Sequence, residues 1–328
     1  MAYYASYKVP KSVKLIPELF RDAGYYVTNK SKTDYNFIPT SNLYHGSDWK
    51  KAPANQPIFA QFQLKGGKNR KAKSHADPNK VVLPPYYPDH PALRRDWAKY
   101  LDSWVETDKE VGRILTDLEK AGRLDSTAVF LWTDHGVSHL RGKQFLYEEG
   151  IHVPLVIRLP AKKLAGTVRD DLIEHIDVAA CSLKLAGIKI PDNVQGRDFL
   201  APDYKPREFI FAGRDRCDET VDILRCVRDS RYKYVRNFMS HVPHAQPSQY
   251  KDGKKIGKKG YEMPPKDTGY AREDIDKDYA AALAEQAESE PTPALSVADE
   301  LRKLKELLDE GVLTPEEFES QKQKLLGD

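Results

Sequence analysis

Apolar residues alternate between strand-like runs and helical spacing over the first two thirds of the chain. Short runs rich in β-branched and aromatic residues predict buried strands at residues 25–28, 58–64, 129–133 and 151–158. Apolar positions at helical spacing predict helices at about residues 15–23, 91–120 and 175–185. Because strands and helices follow one another in this way, the pattern predicts a mixed α/β sheet with helices on both faces over roughly residues 10–200.

The helix predicted over residues 91–120 carries an apolar stripe that we expect to pack on the sheet. Asp108 falls on the same seam, where an unpaired carboxylate would be costly, so we expect it to be hydrogen-bonded. The stripe consists of Trp97, Leu101, Trp104, Val111, Leu115 and Leu118.

The strand at residues 129–133 ends on Asp134, His135 and Gly136. A buried parallel strand would deliver these two ligand-capable side chains to its carboxyl end, where open α/β sheets place their sites. That pattern is typical of a metal site, and the nearby Lys143 would suit an anionic substrate. The alternative is an ordinary turn, in which Asp134 caps the next segment and His135 has a structural partner.

Three consecutive motifs surround this position: Trp132-Thr133-Asp134-His135-Gly136, Arg141-Gly142-Lys143-Gln144-Phe145-Leu146-Tyr147-Glu148 and His152-Val153-Pro154-Leu155-Val156-Ile157-Arg158. In order, spacing and residue type they resemble the sulfatase family of the alkaline phosphatase superfamily, especially bacterial members related to heparan N-sulfatase. The resemblance implies an alkaline phosphatase-like mixed sheet and a sulfuric ester hydrolase acting on sulfated carbohydrates or other sulfate esters. It also implies that Asp134 and His135 are metal ligands, with calcium as the cofactor.

By the same resemblance, Lys32, Lys68 and Lys143 are catalytic residues on the sulfate side of the site. Lys32 lies in the polar loop after the strand at residues 25–28, for which a solvated turn is the alternative interpretation. Lys68 stands at about the position where many sulfatases have histidine. A cationic contact to the sulfate is therefore kept, but proton donation by an imidazole is not.

Two alternating segments, residues 221–227 and 232–237, are joined by Asp229-Ser230-Arg231 and predict a β-hairpin. The resemblance implies that this hairpin belongs to a small antiparallel C-terminal sheet that selects substrates. It implies substrate contacts for Arg214, Arg216 and Glu219, while surface charge on the hairpin is the alternative.

The end of the chain resembles the SHOCT (short C-terminal) domain, with Leu307-Leu308-Asp309-Glu310-Gly311 and Thr314-Pro315-Glu316-Glu317-Phe318 in two predicted helices. Because such a small helical hairpin buries little surface, we expect it to oligomerise or dock. The predicted domains are therefore a partial catalytic domain at residues 1–203, part of the antiparallel subdomain at 204–250, a linker at 251–294 and the hairpin at 295–328.

The sulfatase nucleophile is a formylglycine made from cysteine or serine in a Cys/Ser-x-Pro/Ala-x-Arg motif, and this motif does not occur in the sequence. The aspartate pair that completes the family's metal shell is also not found. Asp134 and His135 supply too few ligands for calcium, which takes six to eight oxygens. The resemblance therefore leads us to expect a chain truncated at its N-terminus, with an incomplete active site.

The composition of the chain bears on its binding partners, its location and the state of its cysteines. Lys and Arg number 52 and Asp and Glu 49, so a net charge of +3 favours neither nucleic acid nor a membrane surface as partner. The sequence contains no apolar run long enough to span a membrane and no signal-peptide pattern. We therefore expect a cytoplasmic location for the chain as written, although family members are usually periplasmic or secreted. The three cysteines fit neither a disulfide framework nor a zinc site, so we expect free thiols.

Three hypotheses remain open at this point. The chain could be part of a sulfatase whose nucleophile lies upstream, or a non-catalytic sulfatase-like scaffold joined to a SHOCT module. It could also be another hydrolase of the superfamily, such as a phosphatase or phosphonate hydrolase. A metal set richer in histidine and aspartate would favour that third hypothesis.

Overall fold

The computed structural model describes residues 8–33, 35, 37–39, 42–69, 71–139, 142–217, 220–241, 297–309 and 313–326. The predicted architecture, a mixed α/β fold with a small antiparallel sheet and C-terminal helices, is confirmed. In chain order the elements are α1 (Ile16–Asp22), β1 (Tyr26–Lys30), β2 (Ile58–Phe62), α2 (Pro91–Lys120), β3 (Val129–Trp132), α3 (Glu148–Ile151), β4 (Leu155–Arg158), α4 (His175–Leu185), β5 (Ile210–Cys217), β6 (Thr220–Arg228), β7 (Lys233–Asn237), α5 (Val297–Asp309) and α6 (Pro315–Leu326).

Strands β1 and β2 form a parallel pair, in register from Tyr26 opposite Ile58 to Lys30 opposite Phe62. The core beside this pair joins Phe20 of α1, Val27 of β1 and Leu183 of α4, all of them buried. Because β1 and β2 run in the same direction, the loops that follow them leave from the same edge of the pair.

The strand that leads to Asp134 is confirmed as β3, but two expectations about it are wrong. Its described partner is β4, which runs antiparallel, with Val129 opposite Arg158 and Trp132 opposite Leu155. Trp132 is 42% exposed, so the strand is not buried along its whole length. The loop between β3 and β4 reverses the chain direction, as an antiparallel pair requires. A parallel pair would instead need a crossover connection that returns the chain to the same end of the sheet.

The buried face of α2 also differs from the predicted stripe. Leu101 is exposed, and so is Asp108, for which we expected a buried hydrogen-bonded position. The carboxylate that is buried on this helix belongs to Asp102, whose Oδ1 accepts hydrogen bonds from the backbone amides of His75 and Ala76 at 2.7 and 2.8 Å. The connection that follows β2 therefore covers a polar face of α2, a contact that helical periodicity does not reveal.

The predicted hairpin is confirmed as β6 and β7, and its turn is fixed by Asp229 Oδ1, which accepts from the amide of Arg231 at 2.7 Å. Strand β5 pairs antiparallel with the other edge of β6 and completes a three-stranded sheet. We had not predicted β5, because its second half, Arg214-Asp215-Arg216, is charged rather than alternating.

The two predicted C-terminal helices are confirmed as α5 and α6. A capping box opens α6, with Thr314 Oγ1 accepting from the Glu317 amide and the Glu317 carboxylate accepting from the Thr314 amide. The predicted linker at residues 251–294 lies outside the described residues. None of the described helices is long and apolar enough to cross a bilayer.

Candidate functional site

Polar side chains from the loops after β1, β2 and β3 converge at one place. Lys68 Nζ lies 3.0 Å from His135 Nε2, which joins the loop after β2 to the loop after β3. The charges of Lys143, Lys32 and Asp134 also act on the Lys68 ammonium group. The structure therefore brings together the three predicted lysines and both predicted metal ligands.

Lys68 is positioned by a tight turn packed under α2. The turn, Gly66–Lys68, lies against the rings of Tyr100 and Trp104. A Cβ atom on Gly67 would lie 2.4 Å from the Tyr100 ring, so only glycine allows this approach. Packing of the turn against α2 thus fixes the backbone position of Lys68.

The loop that carries His135 and Lys143 is folded onto itself through its backbone. The amide of Gly136 donates to the carbonyl of Gly150 at 2.9 Å, and the amide of Lys143 donates to the carbonyl of Val137 at 2.7 Å. A Cβ atom on Gly136 would lie 1.8 Å from the carbonyl oxygen of Glu149. The glycines of this region therefore hold the loop in a compact form that places both functional side chains.

Lys32 lies just beyond the end of β1, on exposed and locally constrained backbone. The preceding residue, Ser31, has a φ of 106°, which non-glycine residues adopt only at a cost. The buried Asn29 side chain donates to the carbonyl of Lys32 at 3.3 Å. The loop is thus held by β1 itself, which supports a defined position for Lys32 rather than a fully solvated turn.

Burial is the largest cause that lowers the pKa of Lys68, from its ordinary 10.5 to about 8. Repulsion by the Lys143 and Lys32 ammonium groups adds to this effect, and the Asp134 carboxylate opposes it. A cluster with this imbalance of charge is stabilised by an anion, because the anion offsets the repulsion between the ammonium groups.

His135 is held mainly as a neutral acceptor. Its Nδ1 lies 2.7 Å from the carbonyl oxygen of Gly136, and a carbonyl can only accept, so Nδ1 carries the proton. Burial, and then the charges of Lys68 and Lys143, lower the pKa of His135, with the Gly136 hydrogen bond opposing them. The Nε2 lone pair therefore accepts a hydrogen bond from the Lys68 ammonium group.

A buried histidine that the sequence did not indicate as part of the site, His139, anchors the same loop. His139 Nε2 lies 2.7 Å from Asp96 Oδ2 on α2, and both side chains are buried. The rings of Trp97 and Tyr100 pack against the His139 ring, with centroids 5.1 and 5.4 Å away. No sequence signal pairs Asp96 with His139, because the two lie on separate elements.

Asp134 and His135 do not by themselves fit a calcium ion. The Asp134 side chain is 84% exposed, and His135 directs Nε2 at an ammonium group. Within the described ranges, no group of three or more His, Cys, Asp or Glu residues could hold a metal. Calcium takes six to eight oxygen ligands, and these two residues supply too few of them. Calcium binding by this chain therefore stays a prediction.

The described thiols are not suited to act as nucleophiles. Cys181 and Cys226 are free thiols, as predicted, and the structure buries both. Burial, with a hydrogen bond to Asp198, raises the pKa of Cys181 to about 12, and burial also raises the pKa of Cys226. The Cys217 side chain lies outside the described part of the chain.

The predicted substrate contacts lie in different environments. Arg214 is buried, with its side chain 8% exposed, 3.4 Å from the Asp222 carboxylate and directed at the carbonyl of Gln144. Arg216 is exposed on β5, and Glu219 lies outside the described residues. Substrate contact by these three residues stays a prediction, and the geometry of Arg214 indicates an internal role.

Three family models match this chain. Residues 46–188 match the sulfatase model, and residues 136–244 match the C-terminal model of N-sulphoglucosamine sulphohydrolase. Residues 299–326 match the short C-terminal domain, SHOCT. The first two matches overlap over residues 136–188, which include Lys143.

Curated relatives share these features over part of their length. An ulvan-active sulfatase of Formosa agariphila is 32% identical over 290 residues, covering 74% of this chain and 48% of that protein. Human N-sulphoglucosamine sulphohydrolase is 27% identical over 180 residues, covering 51% of this chain and 36% of that protein. The chain therefore spans about half or less of the length of these relatives.

A solved structure shares the fold. Phosphonate monoester hydrolase from Silicibacter pomeroyi superposes with a TM-score of 0.56 at 17% identity, covering 70% of this chain and 72% of that one. At this identity the likeness concerns the fold alone.

Proposed function

We propose that this chain, which belongs to the sulfatase family, binds the sulfate group of sulfated carbohydrates through Lys32, Lys68 and Lys143. We call these three lysines the cationic cluster. Family membership supports sulfate-ester chemistry, and the names of the relatives point to carbohydrate substrates. Hydrolysis is not part of the proposal, because the chain contains no formylglycine motif.

The observation that carries this proposal is the convergence on Lys68. Its ammonium group lies 3.0 Å from His135 Nε2 and is repelled by the ammonium groups of Lys143 and Lys32. A half-buried group of like charges is unfavourable, and the exposed Asp134 carboxylate offsets part of the repulsion that acts on Lys68. A sulfate oxyanion offers acceptor oxygens to several ammonium groups at once and relieves their repulsion.

Each side chain would have a distinct part in holding the sulfate. Lys68, with a pKa of about 8, is mostly protonated at pH 7 and can donate to one sulfate oxygen. His135 orients Lys68, because the neutral imidazole accepts one of its protons and leaves the others available. Lys143 and Lys32 would neutralise the remaining charge of the anion.

Titration with inorganic sulfate, a sulfated monosaccharide and its desulfated counterpart tests the proposal. We expect isothermal titration calorimetry to show binding only for the two sulfated compounds, with affinity falling as ionic strength rises. Lys143→Ala should weaken binding about tenfold, the effect of one lost charge-assisted hydrogen bond. Lys189→Ala is the matched control, since this exposed lysine after α4 carries the same charge.

Three results would contradict the proposal. These are equal binding of the desulfated sugar, equal sulfate affinity in wild type and Lys143→Ala, and a larger thermal shift with calcium than with sulfate. Sodium chloride at matched ionic strength controls for general salt effects in the thermal-shift series.

We also propose that the SHOCT hairpin mediates self-association. None of its described side chains is buried, including Leu301, Leu304 and Leu308 on α5. A hairpin of this size needs further apolar contacts to be stable. Light scattering on the full chain should show an oligomer that Leu304→Asp dissociates. A monomeric wild type would refute this proposal.

A further inference from the structure

One face of the β5–β7 sheet contacts residues 142–148. This segment contains Lys143 of the cationic cluster, and we call it the Lys143 segment. Arg214 Nη1 donates to the carbonyl of Gln144 at 3.1 Å, and Lys233 Nζ donates to the carbonyl of Leu146 at 3.1 Å. Arg228 and Lys233 both pair with the Glu148 carboxylate. Three basic side chains of one small sheet therefore bind every second residue of the segment, at positions 144, 146 and 148.

Among these contacts, the one made by Arg214 is nearest in sequence to Lys143. The Arg214 guanidinium group also has two further neighbours that restrain it. Its guanidinium group lies 3.4 Å from Asp222 on the neighbouring strand, and both side chains are buried. It also lies over the ring of Phe145, 5.2 Å from the centroid. A buried arginine held in this way has little freedom to leave the Gln144 carbonyl.

The backbone at Gln144 requires such support. Its φ of 84° lies in the left-handed region, which costs a non-glycine residue free energy unless surrounding contacts compensate. Gln144 directly follows Lys143, so any relaxation of its backbone would move the Lys143 side chain relative to Lys68.

We infer that Arg214 is a positioning residue: by holding the Gln144 carbonyl it keeps the Lys143 ammonium group beside Lys68. The β5–β7 sheet thereby controls the sulfate affinity of the cationic cluster, whose three lysines lie on other segments of the chain. This inference rests on the proposed sulfate site, but the restraint on the Lys143 segment exists independently of any ligand.

Two measurements on Arg214→Gln in the full chain test the inference. Hydrogen–deuterium exchange of peptides covering residues 142–148 should accelerate at least tenfold without ligand, because the amides of Lys143 and Phe145 lose the framework that holds their hydrogen bonds. The dissociation constant for inorganic sulfate should rise about tenfold, close to the effect of Lys143→Ala. Peptides from β1 and β2 should exchange as in wild type.

Matched variants separate positioning from general destabilisation. Arg236→Gln removes an exposed arginine of the same sheet, stacked on the Phe238 ring, and should change neither measurement more than about twofold. Arg214→Lys retains the charge opposite Asp222 and should recover part of the affinity. If Arg214→Gln does not fold, Lys233→Gln loosens the same segment at Leu146 and replaces it.

An unchanged hydrogen–deuterium exchange rate in residues 142–148 of the folded variant would overturn the inference, regardless of its dissociation constant for sulfate. Wild-type sulfate affinity in Arg214→Gln, combined with weak binding in Lys143→Ala, would also overturn it. If wild type itself does not bind sulfate, the proposed function fails, and the exchange measurement alone decides on the positioning role.

Discussion

Lys68 Nζ and His135 Nε2 lie 3.0 Å apart, although the two residues belong to loops that follow different strands. The hydrogen bond from the His135 Nδ1 to the Gly136 carbonyl leaves Nε2 as the acceptor, so the direction of the contact is set by the loop backbone. This contact assembles the cationic cluster and has measurable consequences.

Sulfate affinity should depend on pH through Lys68. Since the pKa of Lys68 is lowered to about 8, the ammonium group loses its proton as pH rises from 7 to 9, and the dissociation constant for sulfate should increase. In Lys68→Arg the charge persists over this range, so calorimetry should show a flat profile. A flat profile in wild type would show that Lys68 does not contact the anion.

Lys68 should also reduce the stability of the free protein. Its pKa is lower in the folded chain than in the unfolded one, so the unfolded state binds more protons between pH 8 and 10.5, and stability rises with pH across that range. Lys68→Met should increase the free energy of unfolding at pH 7 by roughly 1 kcal/mol after solvent screening, and should abolish sulfate binding. Urea denaturation at several pH values measures both effects, and a less stable Lys68→Met would contradict this account.

Gly136→Ala and Gly112→Ala should have opposite effects. The new Cβ at residue 136 would overlap the carbonyl oxygen of Glu149, at a cost of about 3 kcal/mol, and would weaken sulfate binding. At Gly112 in α2 no atom lies within 4 Å, so alanine should stabilise the helix by up to about 1 kcal/mol. Thermal unfolding distinguishes the two, and equal effects would refute the tight loop packing.

Asp96→Ala should destabilise the protein by about 3 kcal/mol, because it leaves the buried His139 without its carboxylate partner. Asp108→Ala, an exposed position on the same helix, should change stability by less than about 0.5 kcal/mol. Chemical denaturation provides the comparison. Similar losses in both variants would argue against a specific role for the Asp96 and His139 pair.

The purified chain should not turn over an aryl sulfate. Nothing in its sequence can become the aldehyde nucleophile, and the described thiols of Cys181 and Cys226 are buried with raised pKa values. A continuous spectrophotometric assay checks this expectation. Activity that survives extensive purification and disappears in Asp134→Ala would overturn it.

Several elements of this protein could be predicted from local sequence. Helical spacing gave α1, α2 and α4, apolar runs gave β1 to β4, and alternation around Asp229 gave the β6–β7 hairpin. The capping box that opens α6 likewise joins Thr314 and Glu317, which are three positions apart. These features depend on contacts between residues a few positions apart, so the order of residues is sufficient to specify them.

Other features could not be predicted because they join distant parts of the chain. Periodicity placed Leu101 and Asp108 on the packed face of α2, whereas the structure exposes both and buries Asp96 and Asp102, whose partners come from other elements. The family resemblance implied a substrate contact for Arg214, and only the structure shows that the adjacent strand supplies Asp222 as a partner of its side chain.

The sequence by itself determined which chemical groups are available, namely the three lysines, Asp134 and His135, and the family motifs in which they occur. The tertiary structure decided that Lys68 meets His135, that β3 pairs with an antiparallel strand and that Arg214 holds the Gln144 carbonyl. The physical reason is that burial and pairing of a charge depend on which surfaces meet when the whole chain packs, and local spacing does not contain that information.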